Sequence, residues 1–368
     1  MKKSLVLLLV LIFALIPSHA FSLESDSPET RYVINDSQLS SIKAACLELM
    51  ETREEDVLRL ENMPISHGNP FYHALSLAGR DVQIKEVDWK IESLQNAIKS
   101  REAWLEIDFR GKWLDLYEKR ISLENFFEDS NRAALEYESA SASHRLGYIS
   151  KSALRQVEFF AVSSYHSYLA QNRSYSSLLR RFNISLGVPM DYDGYVFEFI
   201  EDPLEIPDLS VLIDSAIHNT DSLINIRHLI ERYETEARYL DEYVISKNYG
   251  YVMEKVESLE LNLALQKLLL SRSEDEMKEK ALLSHQAVSL EREMITLEEL
   301  AIGILKKQYD TNFMLYRRGY IDGTELASSH AAFLEAERDL AASVYSFNTK
   351  VMNLKYTCAY YHGESETE

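Results

Sequence analysis

HRLGYISKSAL, residues 144–154, and YRRGYIDGTEL, residues 316–326, are nearly the same phrase written twice at an offset of 172. Arg145, Gly147, Tyr148, Ile149 and Leu154 recur as Arg317, Gly319, Tyr320, Ile321 and Leu326, and Ser174 recurs as Ser346. Each phrase interrupts a long run of helical apolar spacing. A glycine can take the positive φ that ends a descending helix, and the residues after it can start the returning one. Ser150 is a ready N-cap for the first return, and Asp322 with Glu325 has capping-box spacing for the second. The spacing predicts two helical hairpins, and the duplication predicts two tandem repeats. Local geometry accounts for the glycines. It does not account for Tyr148–Ile149 and Tyr320–Ile321 at wet hairpin ends, where apolar side chains suggest that something docks.

Working outward, proline marks the remaining boundaries. It stands at positions 17, 28, 64, 70, 189, 203 and 207 only. Residues 71–188 and 208–368 contain none, as long helices require, because an interior proline costs about 3 kcal/mol. Apolar residues fall on narrow stripes: Val87, Ile91, Leu94 and Ile98 step by four, three and four. Six helices are expected, at 38–62, 82–143, 150–186, 209–245, 252–317 and 323–360. The first repeat then covers 38–187 and the second 209–360. A proline-bearing connector spans 188–208, an extension 21–37 precedes the first repeat, and the tail 361–368 is expected to be disordered.

Length restricts the shape. At 1.5 Å per residue the helices 82–143 and 252–317 span about 90 and 100 Å, whereas 150–186 and 323–360 reach only about 57 Å. A long helix can bury its full stripe only if two shorter ones stack end to end beside it. Stacking 150–186 on 209–245, and 323–360 on 38–62, satisfies this and puts the connector at mid-height. The expected fold is all-α and elongated, built of antiparallel hairpins.

Composition bounds the function. The stretch MKKSLVLLLVLIFALIPSHA, residues 1–20, has two lysines, a short apolar run and small residues at Ser18 and Ala20, the pattern of a secretory signal peptide. An exported, cell-envelope protein is expected. Losing the two leader lysines takes the formal charge from −20 to −22, and no basic stripe stands out, so nucleic acid is not an expected partner. An oxidising compartment permits a disulfide between Cys46 and Cys358, the two cysteines of the chain. His67 and His73 could meet in the turn after the first helix, but no HExxH or other close ligand spacing occurs, so neither a metal nor another cofactor is expected. A phosphate loop, a nucleophile elbow and a recognisable catalytic carboxylate pair are all missing, so an enzyme is not expected. Trp89, Trp104 and Trp113 share no helix face, which favours ordinary packing over a membrane belt.

The paired helix–Gly–helix tips, the NISLGVP that closes the first repeat and the PDLSVLIDSAIHNTDSL that opens the second resemble the TolC family of outer-membrane efflux channels. The resemblance covers about 38–360. It implies a homotrimer in which each chain gives four helical strands to a twelve-stranded α-barrel. It also implies tips that dock a periplasmic adaptor protein linked to an inner-membrane pump. On this resemblance Arg145, Leu146, Gly147, Tyr148 and Ile149, with Arg317, Arg318, Gly319, Tyr320 and Ile321, form the adaptor contact. Glu325 stands at the tunnel entrance, where the family places an acidic ring; the second acid of that ring is Ser328 here. The chain departs from the family where a β-barrel belongs. Between the first two expected helices lie about twenty residues without sustained alternation, and between 209–245 and 252–317 only SKNYGY. A membrane strand needs about 9–11 residues, so two strands and a turn do not fit there. A scaffolding coiled-coil protein of the envelope, derived from such a channel but carrying no flux, is the alternative.

Overall fold

The computed structural model describes residues 27–65, 68–197, 199, 201–244 and 250–360. The expected signal peptide, the tail and His67 lie outside the described residues. Those residues form eight helices and no strand. They are α1 Pro28–Ile34, α2 Ser37–Glu61, α3 Pro70–Arg145, α4 Lys151–Leu186, α5 Leu209–Asn219, α6 Asp221–Tyr243, α7 Gly250–Arg317 and α8 Gly323–Thr357.

Helices α3 and α7, of 76 and 68 residues, run the full height, about 114 and 102 Å at 1.5 Å per residue. Along the lower half, toward the tips, α4 packs on α3, α3 on α8, and α8 on α7. Along the upper half α2 packs on α3, α3 on α6, and α6 on α7. Four helical strands therefore stand side by side at either height. Their order is α4–α3–α8–α7 below and α2–α3–α6–α7 above, so each long helix has a lower and an upper partner. The stacked pairs differ from the expected ones: 38–62, not 209–245, stands above 150–186, and 209–245, not 38–62, stands above 323–360. Packing across mid-height sets this, because Leu39 of α2 joins Leu179 and Leu186 of α4 in one buried cluster and Leu212 of α5 joins Val351 and Leu354 of α8 in another. Helix α3 is flanked on both sides at both heights, whereas α7 is always an edge.

Three differences from the expected elements have local causes. The extension contains α1, capped by Ser27, whose Oγ accepts from Thr30 N–H at 3.2 Å, with Pro28 pre-set at the first helical position. Helix α3 begins at Pro70, twelve residues before the expected start at 82, because Asn69 caps it and Pro70 again takes the first turn. The helix expected at 209–245 breaks at Thr220, whose backbone is extended and whose Oγ1 donates to Ala216 O at 2.6 Å. A β-branched hydroxyl residue that bonds back to the preceding turn competes with helix continuation.

Burial is concentrated at mid-height. One cluster joins α1, α3, α4 and the connector through Tyr32, Leu105, Phe109, Leu116, Leu179, Phe182 and Tyr195, with Trp113 against it. A second joins α5, α7 and α8 through Leu212, Val288, Ile295, Phe347, Val351 and Leu354. A leucine as enclosed as Leu116 or Leu212 contributes about 2 kcal/mol from burial alone. Trp89 stacks on His228 at 4.4 Å, and burial pushes that imidazole below its ordinary pKa. Asp36 caps α2 and takes two bonds from Arg101, at 2.6 and 3.2 Å, which hold its carboxyl below the ordinary value.

Two buried asparagines tie the connector down. Asn183 Nδ2 donates to Met190 O and Tyr192 O at 3.2 and 2.8 Å, and its Oδ1 accepts from Tyr195 Oη at 2.6 Å. Asn348 does the same for the other end: Oδ1 accepts from Leu204 N–H at 2.8 Å, and Nδ2 donates to Asp202 O and Glu201 Oε2. Both are essentially inaccessible to solvent.

The permitted disulfide is not formed. Cys46 and Cys358 are both buried free thiols. Cys358 is enclosed among α5, α7 and α8, where burial pushes its thiol up to about 11, while Cys46 lies nine residues beyond Ser37, the start of α2, which packs on α3.

Helix α4 ends at Gly187 with φ of +64°, and Val188 N–H returns to Asn183 O at 3.0 Å. The matching position of the second repeat is Ala359, held at φ of +50° by the same pair of backbone bonds. Gly187→Ala is expected to cost about 1–2 kcal/mol, read as a lower melting midpoint, because an L residue pays for the left-handed conformation. Its Cβ would also stand 2.9 Å from Asn35 Nδ2, so Asn35 must shift.

Candidate functional site

The two hairpin ends share one backbone design. At the first, Gly147 N–H donates to His144 O at 2.9 Å and Tyr148 N–H to Ser143 O at 2.9 Å. At the second, Gly319 N–H donates to Tyr316 O at 2.9 Å and Tyr320 N–H to Leu315 O at 3.0 Å. This is the Schellman pattern, and the glycines carry φ of +79° and +75°. The returning helices start on side-chain caps. Ser150 Oγ accepts from Ala153 N–H at 3.2 Å, and Asp322 Oδ1 accepts from Thr324 and Glu325 N–H at 2.9 Å each.

This geometry sorts the candidate residues. Tyr148 and Tyr320 project into solvent, 78% and 73% exposed, and Leu146 beside the first is also exposed. Ile149 and Ile321 are half-buried and seat the turn on its own helices instead. Arg145, Arg317 and Arg318 are exposed at the same ends. Glu325 is exposed as well and lines an open groove between α7 and α8 with Gln308, Asn312 and Ser328. The tips differ in one inner position: His144 Nδ1 meets Ile149 O at 2.9 Å, where the second tip has Tyr316 beside Gly323.

The edges of the lower half carry a feature that sequence reading missed. Helix α7 buries Ala281, Val288 and Ile295 against α5 and α8, spaced by seven. It also exposes Leu283, Leu290, Leu297 and Ile304, again spaced by seven, each more than half accessible. Leu290 follows Val288 by two residues, about 200° round the helix, so the two stripes face opposite ways. Met294 widens the exposed one. The opposite edge of the layer is α4, and it exposes Phe159, Phe160, Val162 and Tyr165. In the upper half α7 continues the exposed stripe with Leu261, Leu265 and Leu268. The signal was present in the sequence as two interleaved heptads on one helix, a pattern that needs a neighbour on both sides.

At the end opposite the tips, α2 joins α3 through residues 62–69, and α6 joins α7 through 244–249. Eight and six residues cannot hold two membrane strands and a turn, at about 9–11 residues per strand. No helix among the described residues is long and apolar enough to cross a membrane.

No protein-family model matches this sequence, and no curated relative does. Solved structures do match. CusC, described with conformational changes that accompany folding and transmembrane channel formation, aligns over 93% of this chain and 97% of its own at 10% identity and a TM-score of 0.53. The outer-membrane channel OprN aligns over 90% of this chain and 89% of its own at 9% identity and a TM-score of 0.57. A membrane protein from Pseudomonas aeruginosa aligns over 94% and 99% at 9% identity and a TM-score of 0.51. At such identities the likeness is one of fold, and by that measure this chain has the TolC-type fold of the outer-membrane efflux channels, with no strand among its described residues.

Proposed function

We propose that this protein is an exported envelope component of an efflux or secretion system. Three copies close into a helical duct whose hairpin tips dock a periplasmic adaptor protein, itself coupled to an inner-membrane pump. The duct conducts and does not catalyse. The observation that carries the reading is the second heptad of α7. A four-strand layer with an apolar stripe on its α7 edge and aromatics on its α4 edge is matched head to tail, so copies join by a heterologous contact that closes as a ring. In that ring Arg145, Tyr148, Arg317, Arg318 and Tyr320 face the adaptor, and Glu325 stands at the mouth of the tunnel, with Ser328 in place of a second acid.

The short upper loops favour a second reading, an envelope scaffold of the same fold that carries no flux. Transport separates the two. A strain lacking this protein should accumulate a fluorescent efflux dye, and the wild-type chain should restore export. Gly147→Val with Gly319→Val should fail to restore it, because a β-branched residue at these positive φ values costs about 1–2 kcal/mol per tip and displaces Tyr148 and Tyr320. Helicity and oligomeric state should stay those of the wild type, since neither glycine Cβ would meet an atom within 4 Å. Unchanged dye accumulation in the deletion strain would favour the scaffold.

A further inference from the structure

The exposed stripe of α7 and the aromatic edge of α4 are flanked by charge, and the sign changes along both. Helix α4 carries five Lys and Arg residues and a single acid, Glu158. Glu158 stands four residues before Val162, about 40° round the helix, and Arg173 stands eleven after it, about 20° round. On α7, Glu293 stands four residues before Leu297 and Lys307 three after Ile304, about 40° and 60° round. All four side chains are exposed, and among the described residues none is paired with an opposite charge of its own chain.

Their heights match. Glu293 lies twenty-six residues before Gly319 and Arg173 twenty-six after Gly147, about 39 Å from the tips. Lys307 lies twelve before Gly319 and Glu158 eleven after Gly147, about 17 Å from the tips. We propose that the seam between copies carries two ion pairs of opposite polarity, Glu293 with Arg173 and Lys307 with Glu158 of the next copy, and that these hold neighbouring copies with their tips level. The occupant of this surface is a second copy of the chain, and the inference rests on the ring proposed above.

Charge sets the register that the apolar residues leave open. Heptads repeat, so a slide of seven residues still lays apolar on apolar. Such a slide in one direction puts Glu293 opposite Arg180, but it puts Lys307 opposite His166 and Glu158 opposite Leu315. In the other direction Glu293 meets His166 and Arg173 meets Gln286. Of the three registers, only level tips satisfies both pairs. Exposed ion pairs add little affinity, but a wrong alignment leaves them unpaired or repelling, so they act mainly on alignment. A stagger of seven residues would also step the tip tyrosines of one copy about 10 Å from those of the next, so level pairs give the tips a flat platform.

Sedimentation of the purified mature protein at low salt tests the pairs. Glu293→Arg alone and Arg173→Glu alone should each raise the concentration at which the assembly dissociates by at least about tenfold, since an attraction becomes a repulsion at every seam. Glu293→Arg with Arg173→Glu should return it to within about threefold of the wild type. The same cycle with Lys307→Glu and Glu158→Lys should behave alike, and high salt should shrink all these differences. Cysteines read the register, in a chain with Cys46 and Cys358 replaced by serine. Glu293→Cys with Arg173→Cys should cross-link under mild oxidation, and Glu293→Cys with Arg180→Cys, one heptad off, should not. A ring that forms but ignores the single reversals, is not rescued by the double ones, or cross-links through the offset pair overturns the ion pairs and leaves the ring standing. A wild type that never assembles overturns the ring and the pairs together.

Discussion

Replacing Leu290 and Leu297 together by glutamate is expected to convert the assembled protein into monomers. Both side chains lie on the exposed stripe of α7, each more than half accessible in the single chain. Burying each leucine between copies contributes roughly 2 kcal/mol per seam, and a closed ring repeats every seam. A carboxylate in the same place must be desolvated without a partner, which costs several kcal/mol more. Sedimentation at micromolar protein should therefore move from one assembled species to one monomeric species. The far-ultraviolet circular dichroism should keep its helical shape, because the buried stripe at Val288 and Ile295 is untouched. Glu299→Gln, exposed and about 200° round the helix from Leu297, serves as the control and should leave the assembly intact. A variant that remains assembled would assign the stripe some other role.

Removing the amide of either buried asparagine is the second large effect. Asn183→Ala leaves Met190 O, Tyr192 O and the buried Tyr195 hydroxyl without the partner that Asn183, itself fully buried, supplies. Asn348→Ala does the same to Leu204 N–H and Asp202 O. Each orphaned buried group costs about 1–3 kcal/mol, so each variant should lose roughly 2–4 kcal/mol. The loss should be uneven along the molecule. The connector at 188–208 is anchored at one end by Asn183 and at the other by Asn348, so protease cleavage and amide exchange should rise there first. Protection in the α3–α6 seam, with the Trp89–His228 stack, should change little. A uniform loss along the chain would mean that the asparagines act through the whole fold.

What the sequence made legible, and what it hid, follows from the range of the interactions. The tips were legible because a Schellman turn and an N-cap are written within a few residues: Gly147 with Ser150, Gly319 with Asp322. The full-height helices were legible because proline is excluded from their interiors. The helix at Pro28–Ile34 and the early start of α3 were also written locally, as Ser27–Pro28 and Asn69–Pro70, a cap followed by a proline at the first helical position. Those pairs outweigh the hydrophobic period, which is weak in such short or uniformly flanked segments. The break at Thr220 was hidden because Thr is only mildly unfavourable in a helix, and its bond to Ala216 settles the matter. Asn183 and Asn348 were hidden for another reason. An asparagine on a helix reads as a solvated residue, and only the fold brings the connector's carbonyls to it. The cysteines erred the other way, since a compartment that permits a disulfide says nothing about whether two thiols meet.

The upper and lower halves of the layer also explain why each long helix has a small net amphipathicity despite extensive burial. Helix α3 is packed on two sides throughout, and α7 is apolar on two opposite sides. A single-stripe search finds neither, whereas a search for two heptads in one helix finds α7. Among the described residues the lower half of a single chain buries few side chains, and in the proposed ring its exposed edges would be covered by neighbouring copies.

A closed ring requires α7 of one copy to lie beside α4 of the next. Ile304 lies fifteen residues before Gly319, and Val162 lies fifteen residues after Gly147, so level tips bring the two to one height. Both are exposed in the single chain. In a variant with Cys46 and Cys358 replaced by serine, Ile304→Cys with Val162→Cys should cross-link under mild oxidation into covalent dimers and trimers. Nothing larger should form, and the products should keep the wild-type helicity. Absence of cross-links, or a ladder that runs on past three copies, would contradict the closed helical ring.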